Sequence, residues 1–309
     1  VRTIEKQAFY NCSSLSSVNL SQVDTIGDQA FYGCASLTEV SLNGIEKIGR
    51  QAFVYCNNIK AFTVSNSSNY FSDAAGVLFE ADENNKKLLQ YPAGKTSTSY
   101  TLSDVTVNSI EPYAFYGASN LSEIILSDSL VTIGEHAFDG CTSIKTVYIG
   151  ASVKSIGTRA FYDCLSLESI YVSLSNAYYY ADQNGVLYKF ARNENDELIL
   201  GSDGSMSVDT LVCYPAAVQR NAYTVMGGVT TISSGAFAKN THLIRVILPS
   251  TLDKVRDEVF SGCANLAEIY FKGEVPTEFG DGVLDSTAKE LIVYYIADNA
   301  TWVNGSLPK

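Results

Sequence analysis

Seven cysteines and two histidines are the side chains with the most chemistry open to them in this chain. Cys12, Cys34, Cys56, Cys141, Cys164 and Cys263 each follow a phenylalanine, or the Phe of a variant pair, by three residues, as in Phe31-x-x-Cys34. Zinc needs thiolates that converge on one point, whereas a column at constant offset lines them up one above the next. Stacked equivalents bring Cα atoms near enough for a disulfide, but their parallel side-chain vectors hold the Cβ atoms too far apart. The expected role is a ladder of small buried thiols, with Cys213 outside the ladder and also buried. His136 and His242 have no cysteine or carboxylate at metal-ligand spacing around both, so each is expected as a lone surface histidine. No Gly-x-Ser-x-Gly elbow, glycine-rich phosphate loop or His-Glu-x-x-His occurs, so no nucleophile, base and orienting group converge. Asp82-Glu83 falls in a polar turn, where solvation is expected. Asn193-Glu194-Asn195-Asp196-Glu197 lacks the sixth-position glycine of a calcium loop. Neither metal nor cofactor is expected, and the chain reads as non-enzymatic.

Such residues need elements to hold them, and composition bounds what those are. Hydrophobic residues make up 46% of the 309 and charged residues 17%, enough apolar material for a packed interior. The 33 Asp+Glu against 21 Lys+Arg give a charge of -12, which repels phosphate backbones and argues against nucleic acid as a partner. No run of 18 apolar residues appears, so no membrane insertion is expected from this segment. Val1-Arg2-Thr3-Ile4 lacks the basic start and apolar stretch of a signal peptide and lies inside a repeat, so the segment reads as a piece of something longer.

Aligning the Ala-Phe pairs exposes the organisation: Ala8-Phe9, Ala30-Phe31, Ala52-Phe53, Ala114-Phe115, Ala137-Phe138, Ala160-Phe161, Ala236-Phe237 and the variant Val259-Phe260. Uninterrupted spacings are 22 or 23 residues, a leucine-rich-repeat period in which each coil supplies a strand. Val40 and Leu42 alternate as strand residues, and Ala52, Phe53, Cys56 and Ile59 have the spacing of one face of a short helical turn. Gly27, Gly49, Gly134 and Gly157 mark the bend between. Ten strands are predicted, centred on Asn19, Ser41, Thr63, Thr101, Ile125, Tyr148, Tyr171, Thr224, Ile247 and Tyr270, in one parallel sheet roughly 45 Å across. Two coils depart from the rule. Tyr70 to Phe79 with Leu88 to Lys95, and Tyr179 to Tyr188 with Leu211 to Ala217, replace the helical turn and read as a duplicated β-hairpin module, its first turn at 81–85.

With its Ile-Gly-x-x-Ala-Phe-x-x-Cys-x-x-Leu-x-x-Val-x-Leu units, the chain resembles the BspA-like leucine-rich repeats over nearly its whole length. Ala118 and Asn240 stand where Cys is expected, and Val259 stands for Ala. The expected fold is α/β: a right-handed β-α superhelix with a parallel sheet on one face, short helical turns opposite and two inserted β-hairpin modules. The expected organisation is a single solenoid over 1–309, with repeats at 1–64, 101–173 and 223–271, hairpin modules at 65–100 and 174–222, and a C-terminal cap at 272–309 holding Ile296 and Trp302. The resemblance implies a bacterial cell-surface or secreted protein, some members being adhesins.

Strand alternation points one column of side chains onto the exposed sheet face. Its later members are Ile125, Tyr148, Tyr171, Ile247 and Tyr270, joined by outward-facing Glu123, Arg245, Glu268 and Lys272. Tyrosines on a rigid sheet offer large contact area and a hydroxyl at small entropic cost. The competing account is that β-branched and aromatic residues simply suit strands. A binding face for a protein or glycan is therefore expected, and the resemblance implies that it is adhesin-like and extracellular or cell-surface. The alternative is a stiff structural spacer within a longer surface protein, with no ligand of its own.

Overall fold

The computed structural model describes residues 1–65, 69–81, 86–102 and 107–295. They form two compact units, Val1–Ile144 with Ser152–Cys164 and Lys145–Ala151 with Leu165–Lys309.

In the first unit two kinds of short parallel strand recur. One lies just before the bend, which is a glycine in four of the six coils: Thr3–Ile4, Thr25–Ile26 and Lys47–Ile48 form one ladder, and Val107–Ile110, Thr132–Ile133 and Ser155–Ile156 another. The other is the apolar-x-apolar segment, where Glu39–Ser41 pairs with Ala61–Thr63 and Ser99–Thr101 with Glu123–Ile125. Alternation reveals only the second kind, because a two-residue strand leaves no period to detect. Asn19, a predicted strand centre, lies outside any strand. Beneath the strands Leu37, Val40, Leu42, Phe53 and Phe62 are buried, and the repeat phenylalanines stack ring on ring, Phe9–Phe31 at 5.2 Å and Phe138–Phe161 at 5.6 Å.

The expected helical turns are not helices, and none occurs among the described residues. The residue before each Ala-Phe pair is left-handed, as at Gln7 (φ 59°) and Gln29 (φ 54°), and so is the residue four positions on, Asn11 (φ 56°) and Gly33 (φ 72°). A left-handed residue breaks a right-handed helical run. The amides of Gln7, Phe9 and Asn11 reach across to Asp28, Ala30 and Tyr32 carbonyls of the next coil at 2.9, 2.8 and 2.7 Å. Between them the amides of Ala8, Tyr10 and Cys12 close four-residue turns onto the carbonyls of Glu5, Gln7 and Phe9. A helix keeps every such amide inside its own coil and leaves none to hold the stack. The i, i+1, i+4, i+7 pattern is the footprint of successive tight turns, and the β-α superhelix is corrected to a solenoid of strands and turns. The bend glycines serve close approach: a Cβ on Gly134 would stand 2.5 Å from the Pro112 backbone nitrogen of the previous coil.

Where a hairpin is expected, three strands run antiparallel, Tyr70–Ser72, Leu78–Glu80 and Lys86–Gln90. Lys86–Gln90 then pairs in parallel with Val107–Ile110, which makes one six-stranded mixed sheet with the ladder beyond it. Residues 82–85, which contain most of the expected turn and the Asp82-Glu83 pair, lie outside the described residues. Asp73 fastens the module: its Oδ1 accepts the Ala75 and Val77 amides, and its Oδ2 accepts the Tyr100 hydroxyl at 2.9 Å.

The second unit repeats this plan. Tyr179–Ala181, Leu187–Phe190 and Val208–Cys213 run antiparallel and continue in parallel through Thr231–Ile232, Lys254–Val255 and Glu278–Phe279. Asp182 takes the part of Asp73, accepting the Asn184 and Val186 amides and the Tyr223 hydroxyl at 2.8 Å. The outward-facing strands are Thr146–Ile149 with Ser169–Val172, and a ladder of Ala222–Thr224, Arg245–Leu248, Glu268–Phe271 and Ile292–Tyr294. The repeat thus runs past Phe271, where a cap was expected; Ile296 and Trp302 lie outside the described residues. Among the described residues the predicted strands fall in separate sheets and no single ten-stranded sheet forms. At each module a loop carbonyl takes the ladder position, Gly76 accepting from Phe62 and Gly185 from Ile170.

Candidate binding surface

In the first unit Glu123 and Ile125 sit opposite Ser99 and Thr101, and both point outward, Ile125 being 52% exposed. Buried Ile124 between them holds the strand to the core. In the second unit Tyr148 and Tyr171 are register partners on neighbouring strands, 47% and 56% exposed. Val147, Ile149 and Ile170 beneath them are fully buried, so the phenols stand on a fixed base.

The remaining candidates lie on the four-stranded ladder of the second unit. Arg245 is level with Glu268, and Ile247 with Tyr270. Arg245 Nε donates to Glu268 Oε2 while its guanidinium lies 5.5 Å from the Tyr270 ring centroid. That hydrogen bond lowers the Glu268 carboxyl below its ordinary range and raises Arg245. Desolvation, then the Glu268 charge, raise the Tyr270 phenol. Ile247, Glu268 and Tyr270 are half-buried, and Lys272 is exposed. Tyr294 stacks on Tyr270 at 4.3 Å and 9° between planes. The sequence reading missed Tyr294, although it lies 24 residues after Tyr270, one coil further on. The tyrosine column is therefore divided within this unit: a Tyr148–Tyr171 pair, and an Arg245–Glu268–Tyr270–Tyr294 cluster on a separate ladder. Its chemistry is contact and hydrogen bonding.

The other reactive side chains are committed to structure. Cys34, Cys56, Cys141, Cys164 and Cys263 are buried, and each thiol donates to a phenylalanine carbonyl one coil back at 3.0–3.1 Å. All seven cysteines are free thiols, Cys12 exposed and Cys213 half-buried. His136 is not the lone surface histidine expected: its ring stacks on Tyr113 at 4.8 Å and its Nδ1 lies 2.6 Å from Asp139 Oδ2. The left-handed turn that carries it lays the ring on the preceding coil. His242 is exposed. In 193–197, Asn193 Oδ1 accepts the amides of Asn195 and Glu197, and the segment closes as an asparagine-anchored turn. Among the described residues no group of three or more His, Cys, Asp or Glu is placed to hold a metal, and no helix is long and apolar enough to cross a membrane.

A sequence model described as the BspA type leucine-rich repeat region matches residues 1–80, 93–184 and 219–300 in six copies. No curated protein matches the chain. Among solved structures, a leucine-rich cell surface protein from Faecalibacterium prausnitzii is similar, with 22% identity, a TM-score of 0.57, and 100% of this chain and 86% of that one covered. A leucine-rich repeat protein from Eubacterium ventriosum is similar at 20% identity and a TM-score of 0.53, over 91% of this chain and 62% of that one. At these identities the likeness concerns the fold.

Proposed function

This chain belongs to the BspA-type leucine-rich-repeat family, and on that premise we propose that it is a non-enzymatic binding protein of the bacterial surface or its surroundings. It presents the outward strand faces to a protein or glycan in the manner of an adhesin. The observation that carries this reading is the Tyr148–Tyr171 pair, two half-exposed phenols in register on strands whose other faces are buried. Aromatic side chains held rigidly at a surface lose little freedom on binding and bury large area, which is why they dominate interaction hot spots. Ile125 with Glu123, and the cluster of Arg245, Ile247, Glu268, Tyr270 and Lys272, supply further apolar and charged contacts. The similar cell surface protein of Faecalibacterium prausnitzii supports the location. The test is binding to immobilised extracellular-matrix proteins and to a glycan array, wild type beside the Tyr148→Ala, Tyr171→Ala, Tyr270→Ala triple variant. Loss of binding with an unchanged melting temperature supports the site, and unchanged binding by the triple variant removes it. A chain that binds nothing in either format is the spacer instead.

A further inference from the structure

In the turns of the first unit alternate peptide groups pass a hydrogen bond forward. The Gln7 amide donates to Asp28, and the Gln29 amide to Arg50; Phe9 donates to Ala30, and Phe31 to Ala52. The carbonyl of one residue and the amide of the next belong to one peptide plane, so these bonds run in aligned columns along the stack, and their dipoles add as they do in a helix. The glutamine side chains form a third column, Gln7 Nε2 to Gln29 Oε1 and Gln29 Nε2 to Gln51 Oε1, each at 2.8 Å.

All three columns stop together. Among the described residues the amides of Gln51 and Phe53 and the Nε2 of Gln51 donate to nothing. Their ordinary acceptors would be the next Ala-Phe turn, but the antiparallel module intervenes, and the turn at Pro112 and Tyr113 follows only after it. The Pro112 carbonyl, which matches the acceptor Arg50 offers to Gln29, receives no donor among the described residues. Between these edges lies a groove of about 800 Å³ lined by Arg50, Gln51, Phe53, Gln90, Pro112 and Lys6, among others. The coils close up at one side, where the rings of Tyr55 and Tyr116 are 4.2 Å apart. Gln90 is only 9% exposed and lines the groove, and its side chain makes no hydrogen bond among the described residues. Donors left at the open, positive end of aligned dipoles favour an acceptor placed there.

We propose that this groove is a docking site for an extended peptide segment of a partner protein, which takes the place of the missing turn. Its carbonyls accept from the Gln51 and Phe53 amides, an amide of its own reaches the Pro112 carbonyl, and Gln90 bonds its backbone. The two donor amides, Gln51 and Phe53, alternate along the coil, as the carbonyls on one edge of an extended chain alternate, and in the neighbouring coils amides of the same spacing are met by main-chain carbonyls. A neutral row of carbonyls also suits walls that mix Lys6 and Arg50 with Asp28, Glu111 and Glu135, where an anion would meet carboxylates.

The test combines hydrogen exchange with a phage-displayed library of random dodecapeptides selected on the full chain. In the free protein the Gln51 and Phe53 amides exchange at least about a hundredfold faster than those of Gln29 and Phe31. A selected peptide slows both amides and binds roughly tenfold more weakly to Gln90→Met, whose melting temperature is unchanged. The proposal is overturned if the two amides are already protected in the free chain, if no peptide is enriched, or if enriched peptides leave their exchange unaltered. It is equally overturned if only members of an oligosaccharide array slow them, which assigns the groove to a glycan.

Discussion

Asn240 occupies a position that is cysteine in most coils, and the substitution is a change of job. Its Nδ2 lies within 3.0–3.3 Å of the carbonyls of Pro215, Ala216 and Val218, and its Oδ1 accepts the amides of His242 and Leu243, with Asn240 itself fully buried. A thiol satisfies one carbonyl. Asn240→Cys, which restores the repeat motif, is therefore expected to destabilise the fold by about 2–4 kcal/mol in urea unfolding, since several buried groups lose their partners. The buried thiols make a second prediction. Burial pushes Cys56 and Cys263 up to about 12 and Cys34 up to about 11. The unfolded chain releases these protons near the ordinary thiol value, so between that value and the folded ones the unfolded state binds fewer protons and stability falls as pH rises. Unfolding free energy measured from pH 8 to pH 10.5 should decline, and a Cys56→Ala, Cys263→Ala variant should decline less steeply. Spacing made the cysteine ladder legible because each coil repeats its position. It could not show which carbonyl a thiol meets or that His136 lies against Tyr113, because those partners come from neighbouring coils.

Among the elements, the bend before each turn was legible and its physical reason was not. Gly134 is required because another backbone lies where its side chain would be, whereas Gly44 has φ 77° and nothing within 4 Å of a built Cβ. Gly134→Ala should cost about 1–3 kcal/mol by forcing coils apart. Gly44→Ala should cost about 1 kcal/mol, the price of left-handed backbone alone. Equal losses in the two variants, measured by urea titration, would contradict close approach as the constraint. The turn elements misled in an instructive way. Ala52, Phe53, Cys56 and Ile59 are all buried, as one face of a helix would be, because consecutive tight turns also return every third or fourth residue to the interior. Hydrophobic spacing reports which side faces inward, and the left-handed residues that distinguish turns from helix here include Gln7, Gln29, Tyr113 and Arg159, types without a marked preference for that conformation. Ile125, Tyr148 and Tyr171 were found where alternation put them, on outward faces, whereas the division of the column at the second module depends on a carbonyl of Gly185 that no alternation reveals.

At the scale of the molecule, far-ultraviolet circular dichroism should give a β-type spectrum without the paired minima of a helix, in keeping with strands and turns alone among the described residues. A helical spectrum would contradict the turn assignment. Each unit has its own buried core, one running from Ile4 through Phe53 to Leu78, the other from Val186 through Phe237 to Val283. The forward-running bonds from one turn to the next, Gln7 to Asp28 and Gln29 to Arg50, also set how the first unit yields to load. A tether drawn away from Val1 along the stack meets those bonds one coil at a time, as a zip is opened, and never shears them all at once. Each coil of 22 residues then pays out about 70 Å of chain at low tension. A unit built this way lengthens stepwise under load and takes up a pull one coil at a time.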